Sequence, residues 1–283
     1  MTSFLCPLFF LFFLVALCGN LLFWYETLNA EACAIPRPQA GLAECLKRFA
    51  ESFCGYVLCV GLALCGIPAG RKFATPTPGG NPALSPVVLV HGLYNNSAVW
   101  LFVRRILRRR GFSVTAFSYG SFSSPLDKVV RNLDSHVGNV EKAHPGKKII
   151  FIGHSLGGIL IRTWLLAPSS QMRAAAVLTL GTPHGGSKLA TLAFGSMSKN
   201  ITPKAALIER LRNAPPPDVP CVSLVSPADE AVLPASALVP PLPPEGNWKL
   251  VVTPPVPHFN MLFSRRVADL LLEELAALTG HAL

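Results

Sequence analysis

The sequence has 283 residues, of which 51% are hydrophobic and 14% are charged, and its formal net charge is +10. A soluble domain usually carries about 25% charged residues, so this chain is more apolar and less charged than an ordinary soluble domain, and the apolar excess is concentrated at the N-terminus. Nucleic acid is not an expected partner, because no recognised binding motif accompanies the basic charge. For the arginines of 104–110, contact with anionic lipid headgroups and a solvated helix face both stay open.

Two uncharged stretches lie near the N-terminus. Residues 1–25 contain no charged side chain and, at about 1.5 Å per residue, are long enough to cross a bilayer core of about 30 Å. A second uncharged stretch covers 52–70. The pattern predicts a multi-pass membrane hairpin with spans at about 3–25 and 52–70. The side of the membrane that the rest of the chain faces is not determined.

Each of these stretches has an alternative explanation. The first can be a cleaved signal peptide, although only Met-Thr-Ser precedes its apolar run and a signal peptide begins with basic residues. The second can be a buried hydrophobic helix of a globular domain, because its glycines and Pro68 weaken a membrane span.

Composition also predicts the domain boundaries. Residues 71–85 are rich in Pro and Gly, which favours a linker between a membrane segment at 1–70 and a single domain at 86–283. Seven of the eight cysteines lie at or before position 65. Cys33 and Cys45 can pair only in an oxidising compartment, and Cys221 alone gives the domain neither a disulfide framework nor a cysteine metal site.

From residue 86 onward, short apolar strands alternate with helical segments. The predicted strands are 86–91, 112–119, 148–153, 175–181, 220–226 and 248–253, and the predicted helices are near 99–110, 125–143, 155–166 and 261–278. This alternation predicts an α/β architecture with a mostly parallel central sheet and helices on both faces.

The strand over 148–153 leads directly into Gly153-His154-Ser155-Leu156-Gly157. Ligands of such sheets bind at the carboxyl ends of the strands. A serine in a tight strand-to-helix turn projects its hydroxyl clear of the sheet, and flanking glycines let the helix fold back against the strand. Ser155 is therefore the candidate nucleophile, with a simple helix cap as the alternative.

Three motifs in chain order resemble the lipase and esterase branch of the α/β-hydrolase fold, which includes bacterial triacylglycerol lipases. They are HGL at 91–93, GHSLGG at 153–158 and GTPHGGS at 181–187. The resemblance covers about residues 84–280. It implies an α/β-hydrolase fold with a short cap, and it implies no metal or organic cofactor.

The resemblance also implies that an acid and then a histidine follow the serine along the chain. His258, in a loop after the last strand, is the candidate base, whereas His184 belongs to the GTPHGG turn and His281 to the tail. Asp229, just beyond a strand, is the candidate acid. Glu230 stays open, either as a solvated neighbour or as the true acid.

The main-chain N–H groups of Leu93 and Leu156 are expected to form the oxyanion hole. Between Gly181 and Pro220 such folds insert a cap. Here that segment contains an amphipathic stretch, 203–217, whose apolar face either covers an acyl-binding groove or packs on the domain.

These expectations combine into a membrane-anchored serine hydrolase that cleaves carboxylic esters through an acyl-enzyme. Its expected partners are a hydrophobic, lipid-like ester substrate and membrane lipids, and its oligomeric state is open. A thioesterase or acyltransferase can use the same triad. A membrane-tethered binding module of the same fold without turnover is the alternative from a different class.

Overall fold

The computed structural model describes residues 2–38, 41–66, 80–241 and 247–280. Most of the predicted linker, 71–79, lies outside the described residues, and so do 67–70 of the second uncharged stretch and His281.

A single sheet of six strands forms the centre of the domain. The strands are β1 Val87–Val90, β2 Val114–Phe117, β3 Ile149–His154, β4 Ala174–Leu180, β5 Cys221–Val225 and β6 Trp248–Val252. They are ordered β2-β1-β3-β4-β5-β6, and every pairing is parallel. The six predicted strands and the parallel sheet are confirmed. From β1 the chain continues to β2 on one side of the sheet, and β3 then lies on the other side of β1. A crevice is expected at the carboxyl ends of β1 and β3, where the strand order changes direction.

Helices cover both faces of this sheet. In chain order they are α1 Thr2–Asn29, α2 Leu42–Gly66, α3 Leu101–Arg109, α4 Leu126–Ala143, α5 Leu156–Trp164, α6 Pro168–Gln171, α7 Ser196–Lys199, α8 Ala206–Asn213 and α9 Arg265–Thr279. Short 3-10 helices lie at Ser97–Trp100, Lys188–Leu192, Ala235–Leu238 and Phe259–Leu262. Alternate strand residues send their side chains to opposite faces, where α4, α5 and α8 bury one core and α3 and α9 bury the other.

The amphipathic stretch between Gly181 and Pro220 forms α8. Its apolar residues Leu207, Ile208 and Leu211 are buried in the core that α4 and α5 share. Of the two roles open from the sequence, this face therefore packs on the domain.

The first uncharged stretch forms α1. Among the residues that the structure describes, α1 is the one helix long and apolar enough to cross a membrane, over Phe9–Asn29. Phe10 and Leu21 on this helix are about three-fifths exposed, whereas Ala16 and Phe23 are buried.

The prediction of a second membrane span at 52–70 is wrong for the part of the chain that the structure describes. The uncharged residues belong to the longer helix α2, whose first half carries Glu44, Lys47, Arg48 and Glu51. The uncharged remainder of α2 is about 22 Å long, which is short of a bilayer core of about 30 Å.

Instead, α2 packs along one face on the domain that contains the sheet. Arg48, Ser52, Gly55 and Cys59 are its buried positions, and their spacing of three and four residues is that of a single helix face. Cys59 belongs to the core beneath α3 and α9. Further along, the carbonyl of Ala63 accepts a hydrogen bond from Asn96 Nδ2 at 2.8 Å.

Candidate active site

Ser155 occupies a sharp turn between β3 and α5. Its backbone has φ 53° and ψ −124°, a left-handed conformation that residues other than glycine rarely adopt. The turn brings α5 against β1 and β3, and the flanking glycines permit this approach. A Cβ on Gly157 would collide with the carbonyl of Val90, and one on Gly153 would lie 2.6 Å from the nitrogen of Gly158.

The HGL motif lies beside this serine. A Cβ on Gly92 would be only 2.9 Å from Cβ of Ser155, so the turn after β1 touches the serine directly. Leu93 lines the same cavity as Ser155. Leu156 is the first residue of α5, and a main-chain N–H at this position has no acceptor within the helix. Both predicted oxyanion residues therefore flank Ser155.

His258 and Asp229 meet at the carboxyl edge of the sheet. Nδ1 of His258 and Oδ2 of Asp229 are 2.7 Å apart, and both residues are 2% exposed. Because a carboxylate only accepts, the imidazole Nδ1–H is the donor. Oδ1 of Asp229 accepts the main-chain N–H groups of Ala231 and Val232, each at 3.0 Å, so the carboxylate is fixed from both sides.

The charge of Asp229 controls the protonation of His258. Burial by itself lowers the pKa of an imidazole, but the Asp229 carboxylate and its hydrogen bond outweigh this effect. The pKa of His258 is therefore raised above its ordinary value.

Glu230 is neither solvated nor bonded to the imidazole. It is 2% exposed, and its Oε2 accepts the main-chain N–H of His258 at 2.9 Å. Its other oxygen, Oε1, accepts the hydroxyl of Ser52 at 2.7 Å. Burial, and then the charge of Asp229, raise the pKa of Glu230. The description of Glu230 as a solvated neighbour is wrong, and the carboxylate that contacts the ring of His258 belongs to Asp229.

The other histidines near the predicted motifs are buried in structural roles. Nε2 of His154 lies 3.2 Å from the carbonyl of His258. Burial, and then the neighbouring His258, hold the pKa of His154 well below its ordinary value. His91 stacks on Tyr119 with ring centroids 4.2 Å apart. His184 contacts Arg162, Thr179 and Ser223 and does not line the cavity that contains Ser155.

Ser155 and His258 line one cavity of about 510 Å³, a volume within the ordinary range for small-molecule sites. Its other walls are mostly apolar. The segment after β4 contributes Pro183, Ser187, Leu189, Ala190, Leu192, Ala193, Phe194 and Ile201. At the mouth, the hydroxyl of Tyr94 donates to the carbonyl of Phe194.

The N-terminal helices form another wall of this cavity. Val15, Cys18, Gly19 and Leu22 of α1 line it, together with Tyr56 of α2. Glu26 near the end of α1 forms an ion pair with Lys188 at 2.8 Å. Sequence reasoning missed this wall, because α1 is apolar all round and has no distinct face that would indicate which residues touch the domain.

Thr182 is a further residue that the sequence did not single out individually. It is fully buried, and its hydroxyl donates to the carbonyl of Ser155 at 3.1 Å. The signal was present in the GTPHGGS motif, which places this threonine two residues after the end of β4. The hydrogen bond ties the turn after β4 to the strained turn that holds the serine.

A parallel sheet of this order, with a serine on a strained turn after β3, defines the α/β-hydrolase class of proteins. A model of the alpha/beta hydrolase family matches residues 87–278, and the chain belongs to this family. The resemblance carried by the three motifs is confirmed.

Comparisons with individual proteins agree on the fold. A triacylglycerol lipase of Pseudarthrobacter phenanthrenivorans is 34% identical over 113 residues, which are 37% of this chain and 35% of that protein. The chain spans about a third of the length of the curated relatives it matches.

Two solved lipases share the architecture. The mature lipase BlEst2 of Bacillus licheniformis is 18% identical with a TM-score of 0.58, covering 72% of this chain and 96% of that chain. A monoacylglycerol lipase of Paleococcus ferrophilus is 18% identical with a TM-score of 0.55, covering 74% of this chain and 99% of that chain.

Proposed function

We propose that this protein is a serine hydrolase that cleaves carboxylic esters of apolar, lipid-like substrates and is attached to a membrane through α1. The observation that carries the proposal is the placement of Ser155 and His258 on one apolar cavity, with Oδ2 of Asp229 2.7 Å from Nδ1 of the imidazole.

In the proposed mechanism, Ser155 is the nucleophile and His258 is the general base. As the serine oxygen bonds to the ester carbonyl carbon, His258 takes the hydroxyl proton. Asp229 holds the imidazole in the tautomer with Nδ1–H and stabilises the imidazolium that forms. His258 then gives the proton to the departing alcohol, which leaves an acyl group on Ser155. Water, deprotonated by His258, releases the acid and regenerates the serine.

The main-chain N–H groups of Leu93 and Leu156 stabilise the tetrahedral oxyanion in this mechanism. Loss of one such donor typically costs about 3 kcal/mol, or roughly a hundredfold in rate, in enzymes that use an oxyanion hole. Main-chain donors explain how two leucines can perform this role. They also explain why the turn containing Gly92 has to lie against Ser155.

The walls of the cavity favour an apolar acyl group. Besides the catalytic candidates, the cavity is lined by aliphatic and aromatic side chains from α1 and from the segment after β4. Such a surface gains free energy by removing a hydrocarbon chain from water, at about 25 cal/mol per Å². The triacylglycerol lipase relatives have ester substrates of this chemical type, which supports the proposal.

The exposed surface of α1 supports attachment to a membrane. Phe9, Phe10, Leu11, Phe13 and Leu14 are all at least 39% exposed, which is unfavourable in water and favourable in lipid. Removal of α1 as a signal peptide would also remove one wall of the cavity. We therefore propose that α1 is retained as the anchor and that α2 belongs to the catalytic unit.

A substrate panel tests this function. Purified full-length protein is assayed with long-chain glycerol esters, short-chain aryl esters and acyl thioesters, with Ser155→Ala as the control. We expect the protein to hydrolyse the esters and Ser155→Ala to be inactive. The largest kcat/KM is expected for an acyl chain long enough to fill the cavity. Turnover confined to the thioesters would identify a thioesterase. Absence of Ser155-dependent turnover on every substrate would contradict the proposed function.

A further inference from the structure

Glu230 is a buried carboxylate that the proposed mechanism does not use. It is adjacent to Asp229 in the chain, and both residues are 2% exposed. Burial of two neighbouring carboxylates is unfavourable unless each is well hydrogen-bonded. The partners of its two oxygens therefore decide whether the buried carboxylate of Glu230 is tolerated.

Its two oxygens bind two different parts of the chain. Oε2 accepts the main-chain N–H of His258 at 2.9 Å, and Oε1 accepts the hydroxyl of Ser52 on α2 at 2.7 Å. Ser52 and Glu230 are 178 positions apart in the sequence, and Ser52 is 1% exposed. The carboxylate thus links α2 to the residue proposed as the base.

Three groups together fix His258. Asp229 holds Nδ1 of the ring, Glu230 holds the main-chain nitrogen, and Nε2 of His154 lies 3.2 Å from the main-chain oxygen. In the strand-to-helix loop that precedes His258, positions 254, 255 and 257 are prolines, which have no N–H to donate. The main-chain N–H of His258 is therefore one of the few main-chain hydrogen-bond donors that can hold this loop in place.

The surroundings of His258 also come from α2. The rings of Tyr56 and Phe259 have centroids 4.9 Å apart, and Gly55 lies against Asn260, where a Cβ would collide with the amide oxygen. The helix containing Ser52 therefore packs directly on the residues that follow His258. The ionisable groups that interact electrostatically with Glu230 or His258 include Asp229, His154 and Tyr56.

We propose that Glu230 is a positioning residue for His258 and that Ser52 of α2 holds Glu230 in place. This inference rests on the proposed function, because it assigns Glu230 a role through the base of that reaction. It makes α2 part of the active-site architecture. A displacement of about 1 Å at a reacting group can cost about a hundredfold in rate. Loss of the hydrogen bonds that Glu230 makes to His258 and Ser52 should therefore reduce turnover.

Three variants of the full-length protein test the proposal. Glu230→Ala removes both hydrogen bonds. Glu230→Gln keeps the shape and an oxygen that accepts from His258, while its amide can donate to the hydroxyl of Ser52, so it removes only the charge. Ser52→Ala removes the link to α2. Cys54→Ala, on an exposed position of the same helix, is the matched control.

A positioning role predicts a graded result on one ester substrate. We expect kcat of Glu230→Ala to fall by about a hundredfold with little change in KM, and Glu230→Gln to recover most of this loss. Ser52→Ala should lie between the wild type and Glu230→Ala, and Cys54→Ala should match the wild type. The acid limb of the pH profile of Glu230→Gln should move to lower pH, because a negative charge that stabilises the imidazolium is gone.

Other outcomes overturn the inference. The inference is wrong if Glu230→Ala is folded and its kcat is within about threefold of the wild-type value. It is also wrong if Glu230→Gln loses as much activity as Glu230→Ala and its pH profile is unchanged. If Glu230→Ala loses its cooperative thermal transition, Ser52→Ala decides, and a folded Ser52→Ala with wild-type kcat and pH profile rejects the proposal. Failure of the proposed function is a different result, since the wild type itself would then show no Ser155-dependent turnover.

Discussion

Nδ1 of His258 lies 2.7 Å from Oδ2 of Asp229, although the two residues are 29 positions apart and follow different strands. Asp229 follows β5 and His258 follows β6, and these strands are neighbours in the parallel sheet. The carboxyl ends of both strands therefore bring the acid and the imidazole to the same edge as Ser155. The consequences of this arrangement for catalysis are testable.

Asp229→Asn should lower kcat by about three to four orders of magnitude while the fold stays intact. The amide cannot hold the imidazole in the required tautomer or stabilise the imidazolium. Steady-state kinetics and a thermal melt measure the two properties. Asp218→Asn, at an exposed position before β5, is the matched control. Near-normal turnover of Asp229→Asn would assign the acid to Glu230 instead.

The pH dependence of kcat/KM should reflect the raised pKa of His258. A general base works only when neutral, and a raised pKa keeps the imidazole protonated to a higher pH. The acid limb of the profile should therefore lie above the ordinary histidine value of about 6.5. In Asp229→Asn the limb should move to lower pH, since the stabilising charge is lost. A wild-type limb well below the ordinary value would contradict this electrostatic description.

A bulky side chain on α1 should shorten the acyl chains that the protein accepts. Cys18 lines the cavity, so Cys18→Trp is expected to reduce the ratio of long-chain to short-chain kcat/KM by at least about tenfold, within the range that a change of cavity size by a methylene or more produces. Leu21→Trp is the control, because Leu21 is 61% exposed. Equal ratios for the two variants would show that α1 does not bind the acyl chain.

Membrane attachment through α1 predicts that the protein stays in the pellet when membranes are washed with alkaline carbonate. Replacing the exposed residues Phe10 and Leu14 by glutamate places two charges on the surface proposed to enter the lipid, which is costly. This double variant should move to the supernatant while keeping its thermal transition. Release of the wild-type protein under the same wash would contradict the role of α1 as an anchor.

The sheet and the chain order of the site were predictable because their signals are local. Each strand is a short apolar run, and Ser155 lies in a motif whose glycines have a direct steric purpose. The resemblance to the lipase and esterase family implies the order of acid and then histidine, and Asp229 and His258 each follow a strand whose carboxyl end lies at the same edge of the sheet. A one-residue error in a strand boundary does not alter that conclusion.

The role of the N-terminal helices was not predictable in the same way. The uncharged stretch that begins at Ser52 suggested a span, but the helix begins ten residues earlier with charged residues on it. The hydrogen bond from Ser52 to Glu230 joins residues 178 positions apart, and such a contact leaves no local pattern. For the same reason, the part of α1 that lines the cavity could not be read from an evenly apolar sequence.

Covalent labelling tests the central claim, that Ser155 is a nucleophile activated by His258 and Asp229. Full-length protein is treated with a fluorophosphonate probe, and the modified peptide is mapped by mass spectrometry. We expect labelling at Ser155 in the wild type, loss of labelling in Ser155→Ala, and slow labelling in a folded His258→Ala. Labelling that persists in Ser155→Ala, or a folded wild type that never reacts at this serine, would contradict the claim.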